Sequence, residues 1–305
     1  MPVEIPYRRE FAFEYGRLEP VAPGVRRVVA NNPGPFTFRG TGTYVIGEGE
    51  VAVIDPGPDL PEHVAALLAG LGDERVTHIL VTHTHRDHSP AARPLKEATG
   101  APTYGFGPHA GGRRGEPGSE EGGDWDFVPD IAIADGAEIA GRNWRFEAVH
   151  TPGHTSNHLC FGLADSGILF SGDHVMGWST SVIAPPDGDM AAYMASLDKL
   201  QQRHDRVYWP THGPAITEPE RHVRAFIAHR REREAGIIDC LKTGSETPAQ
   251  IVDRLYAGLN PALRGAAGRS VLAHLIDLIG RGIVIADGPA TTAAHYRLRH
   301  LPPRS

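Results

Sequence analysis

The residues best suited to chemistry lie in one short stretch, VTHTHRDHSP at positions 81–90. His83, His85, Asp87 and His88 fall within six positions there. With 17 histidines in 305 residues, composition alone would place about 0.3 in six positions, and here there are three. Imidazole and carboxylate are the ligand set of zinc and, less selectively, of iron or manganese. His83 and His85 are two apart, so an extended segment projects them to the same side. Asp87 and His88 can turn toward a second point. Four ligands exceed what one tetrahedral centre with an open position can use, so the pattern points to two metals.

Further groups stand where later apolar runs end: His154 in TPGHT, Asp173 in SGDH and His212 in PTHGP. Taken singly, each has an ordinary structural role as a turn former or helix cap. Together they put one imidazole or acid at successive strand ends, which suits a site assembled along one edge of a sheet. Asp55, in IDPGP, is either a turn former or a group that orients a ligating histidine through its other ring nitrogen. His150, His158 and His174 flank these positions and are expected in supporting or surface roles. Cys160, among apolar neighbours, is expected to pack as a small hydrophobe.

The elements that must position these groups follow from the patterning. Strands are expected at 24–32, 42–49, 51–58, 76–82, 145–154, 158–164, 167–173 and 205–214, and helices at 60–72, 89–100 and 189–203. The stretch from Gly105 to Asp130 is rich in glycine and poor in apolar residues, so it reads as a long surface loop, either a lid or partly disordered. A charged helix over 218–241 leads to a tail patterned as helix, helix, strand, turn, strand (247–258, 268–282, 283–288, 293–300). The domains read from this are a catalytic body over 1–216, a connecting helix over 217–243 and a small module over 244–305.

The ordered set THTHRDH, TPGHT, SGD and PTHGP resembles the metallo-β-lactamase superfamily, and the tail resembles the winged-helix extension of its lactamase-beta-like branch. The likeness spans nearly the whole chain. It implies an α/β fold, an αββα sandwich of two mixed sheets with helices on both outer faces. Carried over residue by residue, it gives His83, His85 and His154 to a first metal and Asp87, His88 and His212 to a second, with Asp173 bridging. Two divalent ions, Zn2+ before Mn2+ or Fe2+, would lower the pKa of a shared water and supply hydroxide as nucleophile. The catalytic residues are then Asp173, which bridges, and Asp87, which orients the nucleophile or passes a proton to the leaving group.

Composition narrows the functions. Net charge is −7, and the tail carries +3 of it, leaving −10 on the body, which disfavours a polynucleotide backbone. The leading reading is hydrolysis of a small-molecule ester, thioester or lactone, as in hydroxyacylglutathione hydrolases. The runner-up is a phosphodiesterase or single-stranded RNA endonuclease of the lactamase-beta-like branch, with Arg113, Arg114 and the basic tail as its basic strip. A mono-iron sulfur dioxygenase ranks below both. DNA binding by the winged helix ranks low as well, because GRSVLAHLIDLIGRG has an apolar middle where a recognition helix is basic; that module is expected to support the active-site wall or to dimerise. Two cysteines, Cys160 and Cys240, cannot make a disulfide framework, and the chain has no signal-like or membrane-spanning run, so a cytoplasmic protein without membrane partners is expected.

Overall fold

The computed structural model of the chain describes residues 3–111, 122–244 and 246–299. Short β-branched runs separated by glycine turns pair into a seven-stranded sheet: β1 (Glu19–Ala22), β2 (Val25–Val29), β3 (Gly42–Ile46), β4 (Glu50–Ile54), β5 (Arg75–Leu80), β6 (Thr103–Gly105) and β7 (Ile131–Ala132), adjacent in that order. Pairing is antiparallel from β1 to β4 and parallel from β4 to β7, so the sheet is mixed. A second sheet contains β8 (Glu138–Ala140), β9 (Arg145–His150), β10 (Leu159–Leu163), β11 (Ile168–Gly172) and β12 (Val207–Pro210), in the order β12-β11-β10-β9-β8. It too is mixed, since only the β11–β12 pair is parallel.

The two-residue period of each strand sorts side chains into three apolar layers. Ala52 and Ile54 of β4 meet Phe146, Phe161 and Phe170 between the sheets. Val51 and Val53 face outward against Leu67 and Leu71 of α1 (Pro61–Leu71) and Leu95 of α2 (Ala92–Thr99). Cys160 and Leu169 face the other way, against Tyr193 and Leu197 of α3 (Met190–Gln201) and Phe226 of α4 (Pro219–Lys242). The architecture is helix, sheet, sheet, helix, as the resemblance implied, and Cys160 packs as a small hydrophobe.

The tail forms α5 (Pro248–Leu255), α6 (Arg264–Gly280) and the antiparallel pair β13 (Val284–Ala286) and β14 (Tyr296–Leu298). Thr247 and Gln250 close a reciprocal capping box at the start of α5. α4 belongs to two cores. Val223, Phe226 and Ile227 pack with the body, and Ile237 and Cys240 pack with Ile251, Leu275 and Tyr296 of the tail.

Some expectations need correction. α2 begins at Ala92 rather than 89, because Ser89 and Pro90 remain in the turn after the histidine run, and α6 begins at Arg264 rather than 268. The 105–130 stretch is not simply a surface loop. Phe127 enters the core of the first sheet, and Asp124 accepts a hydrogen bond from Ser89 Oγ at 2.6 Å. Asp130 accepts from the Thr103 amide and hydroxyl, both at 2.8 Å. The middle of that stretch, with Arg113 and Arg114, lies outside the described residues. Among the described residues no helix is long and apolar enough to cross a membrane.

Candidate metal centre

Asp55 follows β4, the histidine run follows β5, His154 lies beyond β9, Asp173 directly follows β11 and His212 lies beyond β12. The first sheet thus delivers Asp55, His83, His85, Asp87 and His88. The second delivers His154, Asp173 and His212 to the same rim of the sandwich. The sheets are tied there by Leu159 N donating to Thr82 O at 2.7 Å and Gly42 N donating to Thr211 O at 2.8 Å. Gly172, at φ 51°, lets the chain turn at this junction. A Cβ on it would lie 2.5 Å from the His158 ring and 3.1 Å from Thr82 Cβ.

Every sequence-predicted ligand enters one cluster. His83 Nε2 and His154 Nε2 lie 2.9 and 3.1 Å from His85 Nδ1. Asp87 Oδ2 stands 3.1 Å from His212 Nε2 and 3.6 Å from His88 Nε2. Asp173 Oδ2 lies between the two groups, 3.4 Å from His212 Nε2, 3.6 Å from His88 Nε2 and 3.8 Å from His154 Nε2. His83, His85 and His154 form one set that could hold an ion, Asp87, His88 and His212 another, and His83, His88 and Asp173 span the two.

The remaining ring nitrogens fix the tautomers. His88 Nδ1 donates to Asp55 Oδ2 at 2.8 Å, His154 Nδ1 to the Val182 carbonyl at 2.6 Å, and His212 Nδ1 to the Gly40 carbonyl at 3.1 Å. The Thr82 hydroxyl gives its proton to Asp55 Oδ2, so it can only accept from His83 Nδ1, 3.0 Å away. Each of these four rings therefore turns its Nε2 toward the centre, where the neutral form would offer a lone pair to a cation.

That arrangement calls for cations. His88 Nε2, His212 Nε2 and Asp173 Oδ1 are buried without hydrogen-bond partners among the described residues. Neutral imidazole nitrogens facing carboxylate oxygens at 3.1–3.6 Å need a positive charge between them, a proton in the metal-free protein or a metal ion in its place. Burial would pull the His88 and His212 pKa values down, yet Asp87 and Asp173 push both up, His212 to about 10 and His88 well above the usual imidazole range. Both carboxylates are correspondingly held below the ordinary range, because the facing imidazoles outweigh burial. Burial, with the other histidines around it, drives His83 the opposite way, toward the neutral form. Nitrogen and oxygen donors converging with unpaired lone pairs fit divalent ions.

Asp55 is both things the sequence allowed. It occupies a left-handed turn, at φ 48°. Its carboxylate also accepts from Thr82 N, Thr82 Oγ1, Thr211 Oγ1 and His88 Nδ1, all at 2.8 Å. Thr82 and Thr211 were not foreseen, although the recurring Thr-His pairs at 82–83 and 211–212 carried the signal. His63, whose Nε2 lies 2.9 Å from Thr43 Oγ1 beneath Asp55, left no trace in the sequence. His158 stays out of the ligand sets. It accepts from the Asp173 amide at 3.2 Å and holds that turn in place. His150 stacks on Phe106, with ring centres 3.9 Å apart, and His174 is buried against Tyr193.

A cleft of about 1580 Å³ opens from His85, Asp87, His154 and Asp173 and continues past Met176 and Trp178 to the wall formed by α6. Trp178 both lines it and stacks on Phe38 with ring centres 4.8 Å apart.

Residues 37–212 match the metallo-beta-lactamase superfamily, and residues 247–291 match the beta-lactamase associated winged helix domain. Among curated proteins, the chain is similar to the Beta-lactamase-like protein 2 homolog of Caenorhabditis elegans, 32% identical over 276 residues and 88% of each chain. It is also similar to an atrochrysone carboxyl ACP thioesterase of Aspergillus terreus, 30% identical over 284 residues, covering 88% of this chain and 83% of the other. Among solved structures, a beta-lactamase domain protein of Burkholderia ambifaria shares the fold at TM-score 0.78 and 20% identity, covering 97% of each chain. A metallo-beta-lactamase family protein of Thermus thermophilus does so at TM-score 0.74 and 23% identity, covering 91% of this chain and 99% of the other. Strand ends, ligand order and sequence agree, and this chain belongs to the metallo-beta-lactamase superfamily as a metal-dependent hydrolase carrying a winged-helix domain.

Proposed function

We propose that the chain is a binuclear hydrolase of small acyl compounds, with thioesters as the favoured class and esters and lactones as chemically equivalent substrates. The observation that carries this reading is the position of Asp173 Oδ2, within 3.4–3.8 Å of an imidazole nitrogen from each of the two ligand sets. His83, His85 and His154 would hold one divalent ion and Asp87, His88 and His212 the other, with zinc the first choice for this donor set. When bound, such ions supply a strongly acidified water and polarise an acyl carbonyl.

The chain's own residues do the rest. Asp173, anchored through its amide by His158 and through its carbonyl by Ser181 Oγ, keeps its carboxylate between the two ligand sets. Asp87 is the more open of the two acids, with 27% side-chain exposure against 10%, and it borders the cleft. It is placed to orient a water or pass a proton to a departing thiol. The cleft of about 1580 Å³ beside the cluster leaves room for an acyl group and a thiol arm. Support for thioesters comes from the relatives named atrochrysone carboxyl ACP thioesterases. Small molecules are the proposed partners.

The test is metal content together with turnover of a thioester, ester and lactone panel, with labelled single-stranded RNA run in parallel. About two zinc ions per chain and thioester turnover lost in His85→Ala and His212→Ala are expected. RNA cleavage without acyl turnover, or a single iron with oxygen consumption, would overturn the reading.

A further inference from the structure

Arg230, on α4, is only 4% exposed and lies in the floor of the cleft. Its guanidinium carbon stands 5.1 Å from the centre of the Tyr193 ring, and Nη2 donates to the Ser181 carbonyl. Its Nε has no hydrogen-bond partner, and no carboxylate among the described residues lies within salt-bridge reach of it. Arg203 pairs with Asp205 and Glu147, Arg26 with Glu74, and Arg281 with Glu234 and Asp277, while Arg27, also buried without a carboxylate in reach among the described residues, lies over the Phe11 and Trp209 rings and does not line the cleft. A buried cation without a counter-charge is costly, and a ligand anion is the natural remedy in a cleft that opens to substrate. The acids bordering this part of the cleft are already engaged. Asp277 faces Arg281, and Asp189 caps α3 by accepting from Ala192 N at 2.8 Å. Arg269 on the α6 wall adds a second cation with no carboxylate in reach among the described residues.

The position is tied to the metal centre. Ser181 O takes Arg230, and the next carbonyl, Val182 O, takes His154 Nδ1. Guanidinium and ligand imidazole therefore flank neighbouring peptide carbonyls, within about 10 Å of each other.

We propose that Arg230 is the centre of an anion subsite that selects substrates carrying a carboxylate or phosphate a few bonds from the scissile acyl carbon. This rests on the acyl-hydrolase reading for its kinetic test, but not for its binding test. The anion could come from either end of a thioester: a carboxylate on the acyl chain or a phosphate on the thiol arm.

Two matched pairs separate these sources. One pair is an acyl N-acetylcysteamine thioester ending in a carboxylate and its methyl ester. The other is a neutral acyl group on 4′-phosphopantetheine and on pantetheine. The readout is the ratio of kcat/KM for the charged over the neutral member. Hydrogen bonds to charged groups are worth roughly tenfold or more in binding, so a ratio of about ten is expected in one pair. Arg230→Gln should bring it near one, and Arg230→Lys should keep part of it. A purely structural role would lower both members alike and leave the ratio standing, which would overturn the proposal. So would a wild-type ratio near one in both pairs.

If no thioester is hydrolysed, the functional reading fails while the subsite remains testable. Glutarate and 4′-phosphopantetheine are then titrated calorimetrically into metal-loaded wild type and Arg230→Gln. One of them binding about tenfold more tightly to wild type supports the subsite, and equal affinities for both refute it.

Discussion

Replacing Asp55 with asparagine isolates the role of one carboxylate that no metal would touch. Asparagine tolerates the φ of 48° at this position, so the turn itself is not strained by the change. The electrostatics change sharply. Oδ1 accepts the Thr82 amide, whereas Oδ2 accepts three donors, the Thr82 and Thr211 hydroxyls and His88 Nδ1. An amide nitrogen in the place of Oδ2 meets those donors with hydrogens of its own. Hydroxyls can rotate away, but His88 must either move its proton to Nε2, which removes the lone pair facing the centre, or keep it on Nδ1 without a partner, which leaves the ring unanchored. Losses of this kind, one bond removed from the ligand, cost about 10–100-fold in metal affinity. Disrupting a buried charged network costs about 3–5 kcal/mol in stability. The link from Asp55 to His83 passes through the Thr82 hydroxyl, which can reorient, so the set with His83, His85 and His154 should weaken less. Chelator-competition titration of each metal equivalent, paired with thermal unfolding, measures both effects. Wild-type affinity at the Asp87, His88 and His212 set, with the loss confined to the other, would refute the reasoning.

Metal loading should release protons even near pH 8, because Asp87 and Asp173 keep His88 and His212 protonated in the metal-free protein, and affinity should fall as pH falls; calorimetry in buffers of different ionisation enthalpy checks this, and no release would contradict it. Gly153→Ala should lose about 1–3 kcal/mol of stability and weaken the set containing His154, since its φ is 137° and a Cβ would sit 2.3 Å from Tyr193 Cα; metal content and denaturant titration give the answer. Asp130 is held down to about 2 by Lys96 and by the Thr103 hydrogen bonds. A depressed carboxyl stabilises above its unfolded pKa, near 4, and that contribution is lost as pH falls toward 2. Asp130→Asn should therefore flatten part of the acid limb of stability between those values, and an unchanged limb would argue otherwise. Ile237→Ala, in the winged-helix core, should cost about 2–5 kcal/mol, and a single unfolding transition should persist because α4 serves both cores; two separated transitions in calorimetry would contradict the coupling.

The clustered histidines and acids were legible because chemistry confines such groups to few residue types at strand ends, and three histidines in six positions stand out against composition. The sandwich was legible through its β-branched runs and through the family likeness of the motifs. Less visible were the short strands β1 and β6 to β8, two to four residues each, whose pairing supplies what their patterning lacks. Arg230 and His63 were illegible for a different reason. Their partners, Ser181 and Thr43, lie 49 and 20 residues away, and only the folded chain shows which polar groups are met. Phe127 and Asp124 were misread from glycine-rich surroundings, because average composition hides two side chains that each find a partner in the body.

α6 turns a face of small residues toward the cleft, with Ala266, Ser270 and Ala273 along it, while Ala273 also packs against the body beside Phe226 and Ile227. Part of the wall facing the candidate metal centre is thus supplied by a domain that holds none of the clustered histidines and acids. Mutations that widen or narrow this wall change the room beside the cluster without touching a single one of its imidazoles. One wall of the cleft belongs to a different module from the candidate metal centre, and the 24-residue α4 joins the two.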